Sequence, residues 1–366
     1  MKLSGTLSFY IGRNFLISFL AFFFGLLALI LLLDTIELLR RASSKPDVTF
    51  IIVIQMALLK LPHMGQLLFP FAALFGGMTA FWKMSRSQEL AVTRAAGISV
   101  WQFLLPVLTL ALLLGAFKIT AFNPLASATL SRFQALEAVH LKGQKSILAI
   151  SGNGLWLRQG TAEGHAVVHA ANLLQQGDRV ELLNTVTFLY QGQDAFIGRV
   201  DAERAVLGDG FWRMENAWIN SPEAPPEHVA EYWLETDLTL ARIQDNFAAP
   251  ETMSFWKLPD FIQTLEEAGF SAIRHRLQWH ALLATPLLMC AMVLIAATFA
   301  LRHSRRGATT FVIASGVFTG FILYFFSDVV FALGLSESIP VTLAAWAPSG
   351  VASMLGLAML LHLEDG

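Results

Sequence analysis

Six apolar runs, each long enough to cross a bilayer, constrain this chain more than any other feature. A helix needs about 20 predominantly apolar residues to span the hydrocarbon core. Inside that core, helices satisfy their own backbone polar groups. Phe15–Leu33 holds no charge. It is too long for the apolar region of a cleavable leader, and no small-residue cleavage site follows, so it reads as a retained first span. Val48–Trp82 is apolar apart from Lys60, His63 and Gln66. Its length predicts a tilted or bent helix, with Pro62 and Pro70 at the bend. Val100–Phe122 carries Lys118 near its end, where a long side chain reaches the interface. Leu277–Leu301 is apolar except for His280, Ala308–Leu335 carries only Asp328, and Ile339–Leu363 completes the set.

Composition agrees with a membrane protein. Of the 366 residues, 55% are hydrophobic and 14% charged, whereas soluble domains average about 25% charged. The net charge of −2 lacks the basic surplus of a nucleic-acid binder. One cysteine, Cys290, permits no intrachain disulfide. Orientation follows from basic residues in short loops. With both termini cytoplasmic, the inner segments hold Lys2, Arg13, Lys83, Arg86, Arg94, Arg302, Arg305 and Arg306, against Arg40, Arg41 and Lys45 outside. That bias places the segment between the third and fourth spans outside.

This segment, about Ser127–Phe255, reads as β-structure. Strand-like runs recur at Gly154–Arg158, Ala166–Leu174, Val180–Tyr190 and Phe196–Leu207. Gly208-Asp209-Gly210 is a hairpin signal. After it, Trp212, Met214 and Trp218 share one face by period two, and Tyr232, Leu234, Leu238 and Leu240 alternate likewise. No helical period is evident until Leu258–Ala268, which Gly269 can terminate. Antiparallel strands without intervening helices read as a sandwich, barrel or jelly roll. The organisation is therefore residues 1–126 with three spans, 127–255 as an inserted all-β domain, and 256–366 with a connecting helix and three more spans.

No catalytic constellation is present. The chain lacks a P-loop, a zincin motif and a nucleophile elbow; Gly152-Asn153-Gly154 lacks the third glycine of a dinucleotide fingerprint, and the nine histidines form no metal-ligand spacing. Three features remain. Residues 85–97 read as a short cytoplasmic helix of about three turns, with a Ser85–Gln88 capping box and Gly97 after its end. Glu89 and Arg94 project from it, while Ala91, Ala95 and Ala96 keep it slim enough for a groove. It reads equally as a coupling helix or an ordinary interfacial connector. The second feature is an outer basic set: Arg40, Arg41, Lys45, Lys118, Arg132, Arg274 and Arg276. Forked arginine donors suit phosphates, and snorkelling to headgroups is the plainer use. The third is Asp328, whose burial in a membrane costs about 2.5–3.5 kcal/mol and calls for a partner or a polar cavity.

The order of parts, three spans, an external β insert and three spans, resembles the LptF/LptG family of lipopolysaccharide export permeases over essentially the whole chain. The stretches Tyr10-Ile-Gly12 with Arg13, Phe69-Pro-Phe-Ala-Ala73, Ser87-Gln-Glu-Leu90, Ala95-Ala-Gly97 and Ala347-Pro-Ser349 look most like its LptG branch. The resemblance implies a β-jellyroll insert and a Gram-negative inner-membrane location. It also implies a heterodimer with an LptF permease, mounted on an LptB ATPase dimer and feeding LptC and a periplasmic bridge. Lipopolysaccharide is then the cargo. No cofactor is expected in this chain, with ATP and Mg in the ATPase. Ser85, Arg86, Glu89, Arg94 and Gly97 are the coupling candidates. Arg40, Arg41, Lys45 and Arg132 are the phosphate contacts, and Asp34 departs from the basic residue expected nearby.

The cargo's acyl chains call for an apolar wall, which the first and fifth spans offer through Phe19, Phe22, Phe23, Phe24, Phe318, Phe321, Phe325 and Phe326, with Asp328 at the gate. Extraction costs about 0.8 kcal/mol per methylene, so an external energy source is expected. A membrane-anchored assembly protein without transport is the alternative. A secondary transporter is disfavoured by the shortage of intramembrane ionisable groups.

Overall fold

A computed structural model describes residues 5–43, 45, 48–142, 148–151, 154–161, 164–176, 179–191, 195–222, 224–236, 249–267, 271–301 and 309–365. Leu238, Leu240, Gly269, Gly152, Asn153, Arg302, Arg305 and Arg306 lie outside the described residues. The chain forms two units, a helical one of Met1–Leu141, Glu251–Trp256 and Arg276–Gly366, and a β unit of Lys142–Pro250 and Lys257–His275.

The helical unit begins with α1 (Gly5–Ala42), α2 (Phe50–Arg86), a short α3 (Glu89–Ala95) and α4 (Val100–Phe117). A π turn (Lys118–Phe122) then leads into α5 (Asn123–Glu137). After the strands come α6 (Leu258–Glu267) in the β unit, then α7 (Ile273–Leu301), α8 (Thr309–Leu335) and α9 (Val341–Asp365). Among the described residues, six helical segments are long and apolar enough to span a membrane, and they coincide with the six apolar runs. Although Pro62 and Pro70 lie inside it, α2 remains one helix. Small residues let the helices approach closely, as is usual in membranes. A Cβ at Gly76 would come 2.7 Å from the Phe19 backbone, and one at Gly115 would come 2.5 Å from Pro286 Cα. The core joins α1, α2, α4 and α7 through Phe15, Phe19, Phe81, Leu104 and Met289.

Pro124 explains the π turn. Its ring crowds the Thr120 carbonyl, and it has no N–H to offer that carbonyl. The chain widens at Lys118–Phe122, and the Trp256 indole N–H donates to Thr120 O at 3.3 Å. The third span then continues as α5 rather than entering the insert at residue 127. The correction has a local cause: Ala126, Leu130 and Phe133 recur at helical spacing and form a buried stripe.

The β unit is one antiparallel sheet of seven strands in sequence order. They are β1 (Leu148–Ser151), β2 (Gly154–Thr161), β3 (Gly164–Gln176), β4 (Arg179–Gln191), β5 (Ala195–Leu207), β6 (Phe211–Ser221) and β7 (Ala224–Glu235). The sheet curls on itself. Gln159 on β2 accepts from the Trp212 indole on β6 at 3.0 Å and from Thr236 Oγ1 at 2.7 Å, and it donates to the Glu235 carbonyl at 3.1 Å. The inserted domain is thus all-β and rolled, with meander connections between its strands. Leu265, Phe261 and Ile262 of α6 pack on its apolar interior.

The alternation of facing slips by one residue along a line across the sheet. Leu182 and Thr185, Ala202 and Ala205, and Met214 and Ala217 are buried, with two outward residues between each pair. Asn184 and Asn216 lie on this line with φ of 51° and 52°, a conformation asparagine tolerates better than most side chains. The slip corrects the expected face of Trp218. It points outward, half exposed, while Trp212 and Met214 are in the core.

Candidate functional site

Charged residues gather where the ends of α1, α2 and α5 meet around Leu38, Val53, Met56, Leu130 and Phe133. At 1.5 Å per residue, Asp34 lies about 31 Å along α1 from Arg13, and Lys60 about 35 Å along α2 from Lys83. These lengths match the roughly 30 Å hydrocarbon core, so both groups stand at headgroup depth. They pair with each other: Lys60 Nζ donates to Asp34 Oδ1 at 2.5 Å, and the ammonium lies 5.6 Å from the Phe133 ring centroid. Two lone charges in neighbouring apolar spans were the available sign of this pair.

About one turn further along α1, Glu37 gathers two guanidinium groups. Arg40 Nε and Nη2 donate to its two oxygens at 2.9 Å each, and Arg41 Nε donates at 3.0 Å. Arg41 Nη1 also reaches Glu137 of α5 at 3.4 Å. Lys45 and Arg132 are exposed. Of the four predicted phosphate contacts, the structure therefore brings Arg41 and the α5 end together and supplies counter-anions to Arg40 and Arg41. The sequence reading missed Lys60, Glu37 and Glu137.

The predicted aromatic wall divides. Phe19 and Phe23 are 2% and 6% exposed, stacked on each other at 6.0 Å and edge-on to Phe69. This corrects their placement: they are core, because α1 turns that face onto α2. Phe22 is half-buried against Phe75, and Phe24 is exposed. On α8, Phe318, Phe321 and Phe325 are 64%, 64% and 62% exposed. With Asp328 they make one helical stripe, and Asp328 has no hydrogen bond or ion pair among the described residues. Phe326 is half-buried. The helix α8 runs antiparallel to α2, since Gly316 meets Met78, Gly320 meets Leu74, and Tyr324 packs on Phe71 at 6.2 Å. The stripe thus rises along the membrane-depth part of α2.

The short helix α3 lies at the opposite end of α2 from Lys60. It is shorter than the expected 85–97 helix because α2 continues through Ser85 and Arg86, where Lys83 and Arg86 suit a helix C-terminus. Gln88 breaks the chain direction with φ of 62°. The capping box is formed at Ser99 and Gln102, starting α4, rather than at Ser85 and Gln88. Gly97 has φ of 80°, as a residue after a helix end requires. Glu89 is oriented by the Ser87 hydroxyl at 2.7 Å, and Arg86 stands over the Trp82 ring at 5.3 Å. Ala91, Val92, Arg94, Ala95 and Ala96 are exposed, a slim and partly apolar surface on which no other described element packs.

Six apolar spans and a β insert define a multi-pass membrane protein, with a charged rim at one end of its first two spans and an exposed aromatic stripe on the fifth. The sequence profile of the lipopolysaccharide export system permease LptF/LptG matches residues 9–362, and the chain belongs to that family. Relatives include the lipopolysaccharide export system permease protein LptG of Haemophilus influenzae, 25% identical over 94% of this chain and 95% of that protein. The LptG of Escherichia coli K12 is 22% identical over 99% of each.

Proposed function

We propose that this chain is one of two permease subunits that take lipopolysaccharide from the outer leaflet of the inner membrane and pass it toward a periplasmic bridge. Its termini and α3 face the cytoplasm and its β unit the periplasm, in keeping with the bias of basic residues. An LptF-type permease completes the membrane pathway. An LptB-type ATPase dimer, holding ATP and Mg, drives it through α3, and LptC receives the cargo. On this chain Arg40, Arg41, Lys45 and Arg132 meet the phosphates. Phe318, Phe321 and Phe325 line the acyl path, and Asp328 marks its upper end.

The observation that carries this reading is the division of labour along the helical unit. Paired charges stand at headgroup depth, an exposed aromatic stripe occupies hydrocarbon depth, and a bare slim helix occupies the other end. The experiment is purification in mild detergent followed by reconstitution in lipopolysaccharide-containing liposomes. A P-loop ATPase and a second permease are expected to co-purify, and ATP to drive lipopolysaccharide release. Glu89→Lys is expected to abolish the complex or its coupling. A complex that assembles yet releases nothing with ATP would instead support the assembly-protein reading.

A further inference from the structure

Within the β unit, the rolled sheet is closed along one line by side chains. Strand β1 pairs with β2 over Gly154–Leu157, so among the described residues the outer edge of Arg158–Thr161 carries no strand. Strand β7 pairs with β6 on one side and leaves its other edge free. Among the described residues no backbone hydrogen bond runs from β2 to β7. Gln159 joins the two instead. Its Oε1 accepts from the Trp212 indole N–H at 3.0 Å and from Thr236 Oγ1 at 2.7 Å, and its Nε2 donates to the Glu235 carbonyl at 3.1 Å. Gln159, Trp212 and Thr236 are all buried. A buried amide engaged at both ends fixes geometry, because losing a partner leaves a desolvated group unpaired.

Strand β7 is shaped for a seam of this kind. Pro225 and Pro226 offer no N–H at its start, and Glu227, Glu231 and Glu235 set charge along it. A strand of this composition resists zippering to a neighbour through its backbone. Leu234, beside Gln159's partners, is its one buried residue. The interior behind the seam is apolar, with Leu157, Val168, Leu182, Val200 and Met214 in its wall. Thr187, in register with Val168 and Val200, is fully buried there, and its Oγ1 has no partner among the described residues. In a permanently shut roll that hydroxyl is a desolvation cost without compensation. The ester or amide carbonyl of an acyl group entering the roll would accept from it. We propose that the line between β2 and β7 is an opening seam through which an acyl chain enters the roll, and that Gln159 is the positioning residue that latches it shut. When the seam parts, water takes over the hydrogen bonds of Gln159, Trp212 and Thr236, and the six strand pairings stay intact.

The proposal rests on the permease reading for its cargo, and the test separates the two. The full complex with its partner permease and ATPase is reconstituted with lipopolysaccharide, carrying a photoreactive phenylalanine analogue at Phe321 or at Tyr232, which packs against the sheet interior. In a Cys290→Ala background, Gln159→Cys and Thr236→Cys are bridged across the seam by a reducible bifunctional thiol reagent. Bridging is expected to preserve ATP hydrolysis and crosslinking at Phe321, to bring crosslinking at Tyr232 down to background, and to be reversed by a reductant. Gln159→Met keeps the side-chain length but cannot donate to the Glu235 carbonyl and accepts only weakly, which penalises the shut state alone. Its crosslinking at Tyr232 is expected to rise about tenfold, the scale of one lost buried hydrogen bond. Undiminished crosslinking at Tyr232 in the bridged protein, an unchanged yield in Gln159→Met, or a wild-type complex that crosslinks at Phe321 and never at Tyr232 overturns the seam. A wild-type complex that crosslinks at neither position and moves no lipopolysaccharide overturns the permease reading, and the seam's cargo with it.

Discussion

Asp34 and Lys60 show why a charge in an apolar span must be judged with its partner. Each side chain is largely withdrawn from solvent, 16% and 24% exposed, so the pair sits between the weak surface and the costly buried regimes. Asp34→Ala strands the ammonium and is expected to cost about 1–2 kcal/mol, read as a lower melting temperature in detergent. Asp34→Leu with Lys60→Leu is expected to recover most of the loss, since an apolar pair leaves nothing stranded. A double variant as unstable as the single one would mean that the pair is not the source of the stability. Glu37 is a different case. Its partners Arg40 and Arg41 are largely exposed, so Glu37→Ala should leave the melting temperature nearly unchanged. Because it removes the carboxylate that holds Arg40 and one of those that hold Arg41 at the rim, it should strengthen lipopolysaccharide crosslinking there. Weaker crosslinking would show that Glu37 orients the arginines for phosphate. The lone charges were legible in the sequence. Their pairing was not, because it depends on the mutual height of two helices, which no local pattern encodes.

At the scale of elements, segments that keep a regular period were readable, and the places where a period breaks were not. Bilayer thickness dictates span length, and Gly208-Asp209-Gly210 turns the chain as expected, with Gly210 at φ of 84°. The slip of facing at Asn184 and Asn216 reversed Trp218, because a single left-handed residue shifts every later side chain to the other face. Asn216→Val forces a β-branched residue into that conformation and is expected to destabilise the β unit by about 1–2 kcal/mol. Asn216→Gly should be close to neutral. Calorimetry on the full chain distinguishes them, and equal melting for the two would show that the backbone there is not constrained. α5 was hidden for a different reason: its buried stripe mixes Asn123 and Ser127 with Ala126, Leu130 and Phe133, so the apolar period is weak and the buried face is visible only once α1 and α2 are in place. On α3, Val92 is 67% exposed. Val92→Asp is expected to leave folding intact while the ATPase no longer co-purifies; undiminished co-purification would move the docking surface elsewhere.

For the molecule as a whole, energy supply decides how it can work. An acyl chain of about a dozen methylenes costs about 10 kcal/mol to draw from a bilayer, and lipopolysaccharide carries several. On the proposed path the exposed stripe Phe318, Phe321 and Phe325 lowers that cost by replacing lipid contacts with aromatic ones, but equal stabilisation at entry and exit performs no net work. The sequence holds no P-loop; on the proposed reading direction enters through a partner ATPase, and α3 offers a bare surface at the far end of α2 from the rim. Phe321→Asp places a charge in the middle of the stripe, a cost of about 2.5–3.5 kcal/mol at membrane depth. It should reduce ATP-driven release by about a hundredfold at constant ATPase assembly, while release without nucleotide remains at background in both proteins. Normal export by this variant would remove α8 from the acyl path and leave its aromatic face as lipid-facing surface. Release by the permease pair alone, with no ATPase, would show that the membrane unit carries its own driving force.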